Sequence, residues 1–287
     1  MITVFTPTYN RGYTLSRLYN SLLSQTYMDF EWLIIDDGSI DNTSMLVDSF
    51  ILENKIKVWY LKTGNGGKHR AINKGVALAK GEFFYIVDSD DYLPENALER
   101  IIFFMEQIKY NDSFAGVCGL RVYPDFKVVT QNFNYVELNT DMVSIYEKFR
   151  VKGDMAEVFK TEILKLYPFP EFVGEKFISE GIVWNRIAQK YNLRYFNEPI
   201  YICDYLGDGL TKSIRKHHRN SPQGTMLLYN EMLRQKRSVK TYIIAAINYW
   251  RYTIKYPYKR KGVLAPIWWT YFFYPLGLFF YFKDSSK

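Results

Sequence analysis

The chain has 287 residues, 48% hydrophobic and 23% charged, a composition that is typical of a folded globular protein and excludes a disordered one. A formal net charge of +7 suits an anionic ligand, namely a nucleotide, a nucleic acid or an acidic membrane surface, without choosing among them. The two cysteines, Cys118 and Cys203, form neither a metal-ligand spacing nor a disulfide framework, and no signal peptide is recognisable, so we expect a reducing, cytosolic compartment.

The first 110 residues alternate between short apolar runs and stretches with helical spacing. The apolar runs predict strands at residues 2–6, 32–35, 58–61 and 83–87. Leucines at helical spacing after the first strand, a capped segment after the second and the stretch 68–80 predict the helices between them. This alternation predicts βαβ units, an α/β fold and a mainly parallel sheet whose right-handed crossovers place the strand ends on one edge.

After residue 111 the pattern becomes less regular. The remaining predicted elements are strands at 116–123 and 199–205, an irregular insertion or hairpin at 125–140, and helices at 180–191 and from Gly224 to about Tyr256. We divide the chain into a first half, residues 1–110, a second half, residues 111–222, and a helical, aromatic-rich extension, residues 223–287.

The extension contains an apolar segment, residues 263–282, that has no charged residue and follows a basic stretch. Its length would allow a transmembrane helix, but Pro266, Pro275 and Gly277 argue against a regular one. Its aromatic side chains suit the headgroup level of a membrane. We expect an interfacial helical hairpin that makes peripheral membrane contact through residues 255–282. The alternative is a tail packed on the globule or buried in a homodimer.

An acidic patch, Asp88-Ser89-Asp90-Asp91, directly follows the fourth predicted strand. Ligands of open α/β sheets bind where strands end. Crowded carboxylates repel one another unless a cation screens them, and oxygen ligands favour Mg²⁺ or Mn²⁺. For these four residues alone, a solvated turn that caps the next helix is an equally good interpretation.

Three further polar patches follow the other early strands. In residues 6–11, Tyr9 offers a flat face on which a base can stack. Residues 36–39 bring carboxylates that can accept from a base or a ribose, although a helix-capping turn explains them as well. The glycine-rich residues 64–70 precede a helix, where backbone N–H groups can approach phosphate, but match neither a P-loop nor G-x-G-x-x-G. Together the four patches predict one nucleotide pocket.

The chain resembles the family 2 glycosyltransferases, which have the GT-A fold. The strings that carry the resemblance are residues 4–11, 24–27, 35–41, 71–75 and 88–91, with Pro94 following. They cover the first 110 residues in the family's order, whereas the rest of the chain matches weakly. The resemblance implies a Rossmann-like, mainly parallel central sheet flanked by helices, with a nucleotide-sugar-binding first half and an acceptor-side second half.

The resemblance also implies a nucleotide-sugar donor, with UDP as the expected carrier, and a divalent cation, Mn²⁺ or Mg²⁺. Carried over by position, it gives donor-binding roles to Pro7, Tyr9, Asp36, Asp37, Lys68, Arg70, Asp88 and Ser89. It makes Asp90 the direct metal ligand, with Asp88 beside it.

Inversion at the anomeric carbon, which the resemblance also implies, requires a carboxylate base near the acceptor hydroxyl. Glu180 is the candidate, because residues 174–184 resemble the acceptor-side motif of the family. That motif commonly reads Glu-Asp, but here the second position is Gly181. Glu175 and Asp204 are the alternatives, and Glu180 could also be an ordinary acid in the first turn of a helix.

A basic segment around His217 and His218 is flanked by Gly207, Gly209 and Gly224. Family resemblance implies a mobile lid whose histidine could reach the metal. A solvated basic loop is the alternative, and the sequence does not separate the two histidines.

The expected function is therefore transfer of a sugar to a hydroxyl of a glycan or lipid-linked glycan, in the synthesis of cell-surface polysaccharide at the inner face of the cell membrane. A metal-dependent nucleotidyltransferase is one rival, and it would release pyrophosphate. A non-catalytic nucleotide-binding module is another. No RNA-binding signature accompanies the basic residues, so a nucleic-acid partner is not expected.

Overall fold

The computed structural model describes residues 1–204, 213–256 and 265–285. The chain divides into two compact units, each formed by two segments. Unit 1 contains residues 1–168 and 186–207, and unit 2 contains residues 169–185 and 208–287. These units are defined by how compactly their residues pack. They do not test the predicted functional regions with boundaries at residues 110 and 222, which stay predictions.

Unit 1 is built on a mixed sheet of eight strands. The strands are β1 (Ile2–Thr8), β2 (Phe30–Asp36), β3 (Lys57–Lys62), β4 (Phe83–Ile86), β5 (Phe114–Val122), β6 (Glu137–Thr140), β7 (Met155–Lys160) and β8 (Asn192–Ile202). Their order across the sheet is β3-β2-β1-β4-β7-β5-β8-β6. The neighbours among β1 to β4 are parallel, β7 is antiparallel to both β4 and β5, β8 is parallel to β5, and β6 is antiparallel to β8. The predicted α/β class and its four early strands are confirmed.

Helices connect these strands. They are α1 (Gly12–Leu23), α2 (Thr43–Glu53), α3 (Lys68–Leu78), α4 (Ala97–Ile108), α5 (Ser144–Glu147) and α6 (Thr161–Leu166), and α7 (Gly181–Ile187) passes from unit 2 into unit 1. All seven residues of β1 and of β2 are buried, as expected for inner parallel strands covered on both faces. The leucines of α1 pack in the same core as Trp32, Tyr19 and Phe50. The core therefore holds β1 and β2 in place, and the loops of interest extend from their carboxyl ends.

The strand register places the carboxyl ends of the parallel strands on one edge of the sheet. Thr8 pairs with Asp36, and Asp36 pairs with Lys62, so β1, β2 and β3 end together. Because β7 is antiparallel to its neighbours, its start lies at this same edge, opposite the ends of β4 and β5. The predicted convergence of the early strand ends is confirmed.

Unit 2 is helical. Its remaining helices are α8 (Ile214–Asn220), α9 (Pro222–Arg234), α10 (Val239–Thr253), a 3₁₀ helix (Trp268–Phe273) and α11 (Tyr274–Ser285). The single helix predicted from Gly224 to Tyr256 is wrong. Gln235 leaves the helical conformation, with φ −96° and ψ 156°, and Ser238 starts a new helix by accepting a hydrogen bond from Thr241 N.

The C-terminal tail, residues 265–285, does not form the predicted hairpin. The 3₁₀ helix continues directly into α11, because Tyr274 is itself helical. Pro275 is tolerated in the first turn of α11, where no intrahelical N–H donor is required. Across the three described stretches of the chain, every helix falls short of the length or the apolar character needed to cross a membrane.

Candidate active site

The loops after β1 and β2 are joined by Asn10. Its backbone N–H donates to Ser39 Oγ at 2.8 Å, and its side-chain oxygen accepts from Ile40 N at 2.8 Å. Asn10 has φ +52°, a conformation that asparagine adopts more readily than most residues. Pro7 is buried within β1, whereas the ring of Tyr9 is half-exposed. The first predicted patch therefore presents an accessible aromatic face beside the second.

Asp36 and Asp37 each fix a neighbouring loop. Asp36 is fully buried and accepts from Ser39 N at 2.7 Å and from the Tyr60 hydroxyl at 2.6 Å. Burial and the Asp36 carboxylate raise the pKa of Tyr60, so its hydroxyl stays a donor. The two oxygens of Asp37 accept from Gly66 N and Gly67 N, both at 2.7 Å. Both carboxylates therefore organise loops at the edge where donor-binding roles were predicted.

The glycine-rich loop leads directly into α3. Gly67 has φ +97°, a conformation that favours glycine, and helix α3 begins at the next residue. Lys68 Nζ lies 2.6 Å from Asp88 Oδ1. Arg70 donates back to Gly66 O at 2.6 Å, which closes the loop. The salt bridge of Lys68 joins the glycine-rich patch to the acidic patch, so the four predicted patches form one continuous site.

The carboxylates of the acidic patch repel one another, and burial together with this repulsion shifts their pKa values. Burial opposes ionisation of Asp88, but the Lys68 ammonium lowers the pKa of that carboxyl overall. Burial and the neighbouring Asp88 raise the pKa of Asp90, and the same two causes raise the pKa of Asp91 to about 7. Ser89 is buried between them. Positive charge at this turn would relieve the repulsion.

A network that the sequence did not predict fixes this turn. The two oxygens of Asp91 accept from the Tyr201 hydroxyl at 2.6 Å and from Asp204 N at 3.0 Å. Arg17 on α1 pairs with Asp204 at 2.8 Å and donates to the backbone oxygen of Asp90 at 2.5 Å. The two partners of Arg17, Asp90 and Asp204, lie 73 and 187 positions away from it in the sequence, so no local pattern indicates these contacts.

The carboxylates at this edge leave few oxygens for the implied metal. Across residues 1–204, 213–256 and 265–285, no three His, Cys, Asp or Glu side chains form a metal site by themselves. The oxygens of Asp91 are engaged, and one oxygen of Asp88 pairs with Lys68. Asp90 and the second oxygen of Asp88 remain. One or two carboxylates completed by phosphate oxygens and water are the usual ligands of Mg²⁺ at nucleotide sites. The residues present fit such a cation.

The three candidate bases lie in different settings. Glu180, in unit 2, is half-buried and directly precedes α7, where its backbone oxygen accepts from Val183 N and Trp184 N. Glu175 is buried and caps α9 by accepting from Gln223 N at 2.8 Å and Gly224 N at 2.9 Å. Asp204 lies in unit 1, paired with Arg17. Their assignment stays a prediction, and the cap role of Glu175 makes it the least suitable.

The two adjacent histidines differ. His218 is buried in unit 2, with Nδ1 3.1 Å from Thr225 Oγ1 and its ring against Phe177. Burial and His217 lower the pKa of His218 to about 4, so the ring is neutral. His217 is half-buried and contacts Ser213 Oγ at 3.0 Å. Packing accounts for His218, which leaves His217 as the lid candidate. Gly207 and Gly209 of the predicted lid lie outside the described residues.

The comparisons agree on one family and one fold. The family model described as Glycosyl transferase family 2 matches residues 3–159. Glycosyltransferase GlyG of Streptococcus pneumoniae is 28% identical over 214 residues, 70% of each chain. The Escherichia coli enzyme WfgD, a UDP-Glc:alpha-D-GlcNAc-diphosphoundecaprenol beta-1,3-glucosyltransferase, is 28% identical over 69% of this chain and 73% of its own.

A solved structure shows the same architecture. The crystal structure of Staphylococcus aureus TarS 1–349 in complex with UDP-GlcNAc matches with a TM-score of 0.63 and 20% identity, over 89% of this chain and 73% of that one. This likeness confirms the predicted fold class.

Proposed function

The chain belongs to glycosyl transferase family 2, and from that premise we propose that it moves a sugar from a nucleoside-diphosphate donor, a UDP-sugar, to a hydroxyl of a glycan or lipid-linked glycan, with inversion. The observation that carries the proposal is the Lys68–Asp88 salt bridge of 2.6 Å. In this pair the ammonium of Lys68 lies beside the carboxylates that suit a metal. A diphosphate needs positive charge from both sources.

Different residues at this edge of the sheet bind different parts of the donor. The half-exposed ring of Tyr9 offers a stacking face for the base. The glycine-rich loop and Lys68 face the diphosphate, which would compete with Asp88 for the ammonium. A divalent cation held by Asp90 and Asp88 together with the phosphates would neutralise charge on the leaving group. Binding of the donor therefore exchanges one ion pair for another at Lys68.

Transfer is a single displacement. The acceptor oxygen forms a bond to the anomeric carbon, and the bond from that carbon to the phosphate oxygen breaks, so its electron pair leaves with the nucleoside diphosphate. The acceptor proton passes to a carboxylate, for which we propose Glu180. Glu175 is less suitable because both its oxygens already cap α9.

We place the reaction in the cytoplasm, at the inner face of the membrane. The support is that WfgD acts on an acceptor linked to diphosphoundecaprenol, and that both cysteines of this chain are free and buried. A homodimer is an alternative use of the apolar tail.

The test is a screen of nucleotide-sugars with Mn²⁺, scored by release of nucleoside diphosphate. Glu180→Gln should lower turnover about 10²-fold or more while the Kd for UDP stays unchanged. The matched control is Glu171→Gln, an exposed acid in the same unit, which should keep full turnover.

Three outcomes would contradict parts of this proposal. Full turnover by Glu180→Gln would remove Glu180 as the base. Equal binding of nucleotide-sugars by an Asp90→Ala chain without divalent ions would remove the proposed donor site. Release of pyrophosphate from nucleoside triphosphates would favour the nucleotidyltransferase.

A further inference from the structure

The outer face of the C-terminal tail carries a row of large apolar side chains. Trp268 and Phe272 are 82% and 84% exposed, and the other members of the row are between 48% and 61% exposed. We call this row the aromatic stripe; it consists of Trp268, Phe272, Leu276, Phe279 and Phe282. The spacing of three to four residues keeps them on neighbouring faces of consecutive helical turns. Among the described residues of unit 2, none covers the stripe.

The stripe is not the surface of a loosely attached segment, because the opposite face of the tail is fixed to α10. Trp250 Nε1 donates to Thr270 O at 2.8 Å. Gly277 lies so close to α10 that an added Cβ would stand 2.4 Å from Trp250 Cβ. Arg251 pairs with Asp284 through two hydrogen bonds of 2.7 and 2.8 Å, and both side chains are largely buried. The tail is therefore held in one orientation, with the stripe facing outward.

The positive charge of the protein is concentrated in the same unit. Unit 2 contains 16 Lys and Arg against six Asp and Glu, whereas unit 1 contains 21 against 24. The formal charge is therefore +10 for unit 2 and −3 for unit 1. Residues 232–283 hold ten basic side chains and no acidic one. An exposed aromatic row on a basic unit combines the two attractions that bind proteins to anionic membrane surfaces.

We propose that the aromatic stripe seats in the interfacial region of a bilayer that contains anionic lipid. Trp and Phe side chains on one helical face suit the boundary between headgroups and acyl chains. A second copy of the chain is the weaker occupant, because pairing through this face would bring together two units of charge +10. The proposal goes beyond the transfer reaction and can be tested without any sugar donor.

The test measures sedimentation of the full chain with phosphatidylcholine vesicles and with vesicles that also contain phosphatidylglycerol. Binding should require phosphatidylglycerol and should fall when salt rises from about 0.1 M to about 1 M, because the Debye length shrinks from ~10 Å to ~3 Å. Trp268→Ser combined with Phe272→Ser should weaken binding about tenfold or more. The control, Leu52→Ser combined with Tyr110→Ser, changes two similarly exposed side chains in unit 1 and should leave binding unchanged.

Two further measurements make the outcome decisive. Trp268 fluorescence should shift to the blue with anionic vesicles, and Trp268→Phe should lose that shift while still sedimenting. The thermal midpoint of the stripe variant should match that of the parent, because both side chains are exposed. The proposal is overturned if the stripe and control variants bind vesicles equally. It is also overturned if the parent chain is a dimer that the stripe variant dissociates and neither protein sediments with lipid.

Discussion

Replacing Asp37 with Asn tests whether this carboxylate organises the glycine-rich loop or contacts the nucleoside directly. Its two oxygens accept from Gly66 N and Gly67 N at 2.7 Å, and the side chain is buried. An asparagine has a single acceptor oxygen, so one of these N–H groups would face the side-chain NH₂ instead. We expect the loop to loosen and Lys68, the first residue of α3, to lose its fixed position.

The magnitude follows from the lost contact. A hydrogen bond to an ionised group contributes about 1.5–3 kcal/mol, and a buried N–H left without an acceptor costs about 1–3 kcal/mol. Because Asn can turn its oxygen toward the more buried Gly67 N, we expect the free energy of unfolding to fall by about 2–4 kcal/mol. The affinity for UDP should fall about tenfold or more.

The assay combines denaturant unfolding, followed by tryptophan fluorescence, with calorimetric titration of UDP and CDP. Asp48→Asn is the matched control, since it removes the same charge from an exposed position on α2. If Asp37 organises the loop, both nucleotides should bind more weakly and the stability should fall. Unchanged stability together with an altered preference between UDP and CDP would refute this reasoning and assign Asp37 to the base.

Two further predictions concern residues outside the predicted donor site. Arg17→Met should weaken UDP binding about tenfold with Mn²⁺ and little without it, because Arg17 donates a hydrogen bond to the backbone oxygen of Asp90. Arg17→Lys should recover only part of the affinity for UDP, since lysine lacks the planar fork of arginine. Equal losses of affinity with and without Mn²⁺ would contradict this role. As pH falls from 6.5 to 4, the unfolded state protonates His218 before the folded state does, so stability should fall by about 3 kcal/mol and His218→Asn should remove that loss. The measurement is the difference between the free energies of unfolding of the parent and of His218→Asn at each pH. This difference is needed because burial and Asp88 raise the pKa of Asp91 to about 7, so Asp91 adds a pH dependence of opposite sign in both proteins. Parallel pH profiles for the two proteins would contradict it.

The strand ends could be predicted because their signals are local. An apolar run followed by polar residues marks each strand end, and the right-handed crossover rule then brings the ends to one edge. Contacts such as Asn10 with Ser39 and Lys68 with Asp88 follow from that convergence. The family strings and the strand pattern therefore agree on residues 1–110, where single helices join the parallel strands and the strand ends meet at one edge.

The remainder depends on pairings that local patterns do not encode. Strand β7 inserts antiparallel between β4 and β5, although it follows both in sequence. Arg17 and Tyr201 reach the acidic turn from distant elements. The break between α9 and α10 had a local signal, the N-cap Ser238, but the apolar spacing on both sides favoured one continuous helix.

The hydrogen bonds of the carboxylates distinguish two kinds of acid: those that accept from backbone N–H groups, and those whose oxygens remain available for a ligand. Asp37 and Glu175 were predicted as donor-binding and alternative base, yet each is buried and directs both oxygens at backbone N–H groups. Bonds of that kind occupy both carboxylate oxygens and leave little capacity to accept a proton from a substrate. Asp90 differs, since within the described stretches its side chain accepts no hydrogen bond from another residue, while burial and Asp88 raise its pKa. A carboxylate that neighbouring acids repel, and that makes no hydrogen bond to the backbone of another residue, is suited to bind a cation. We therefore propose Asp90, rather than the more deeply buried acids around it, as the ligand of a divalent cation.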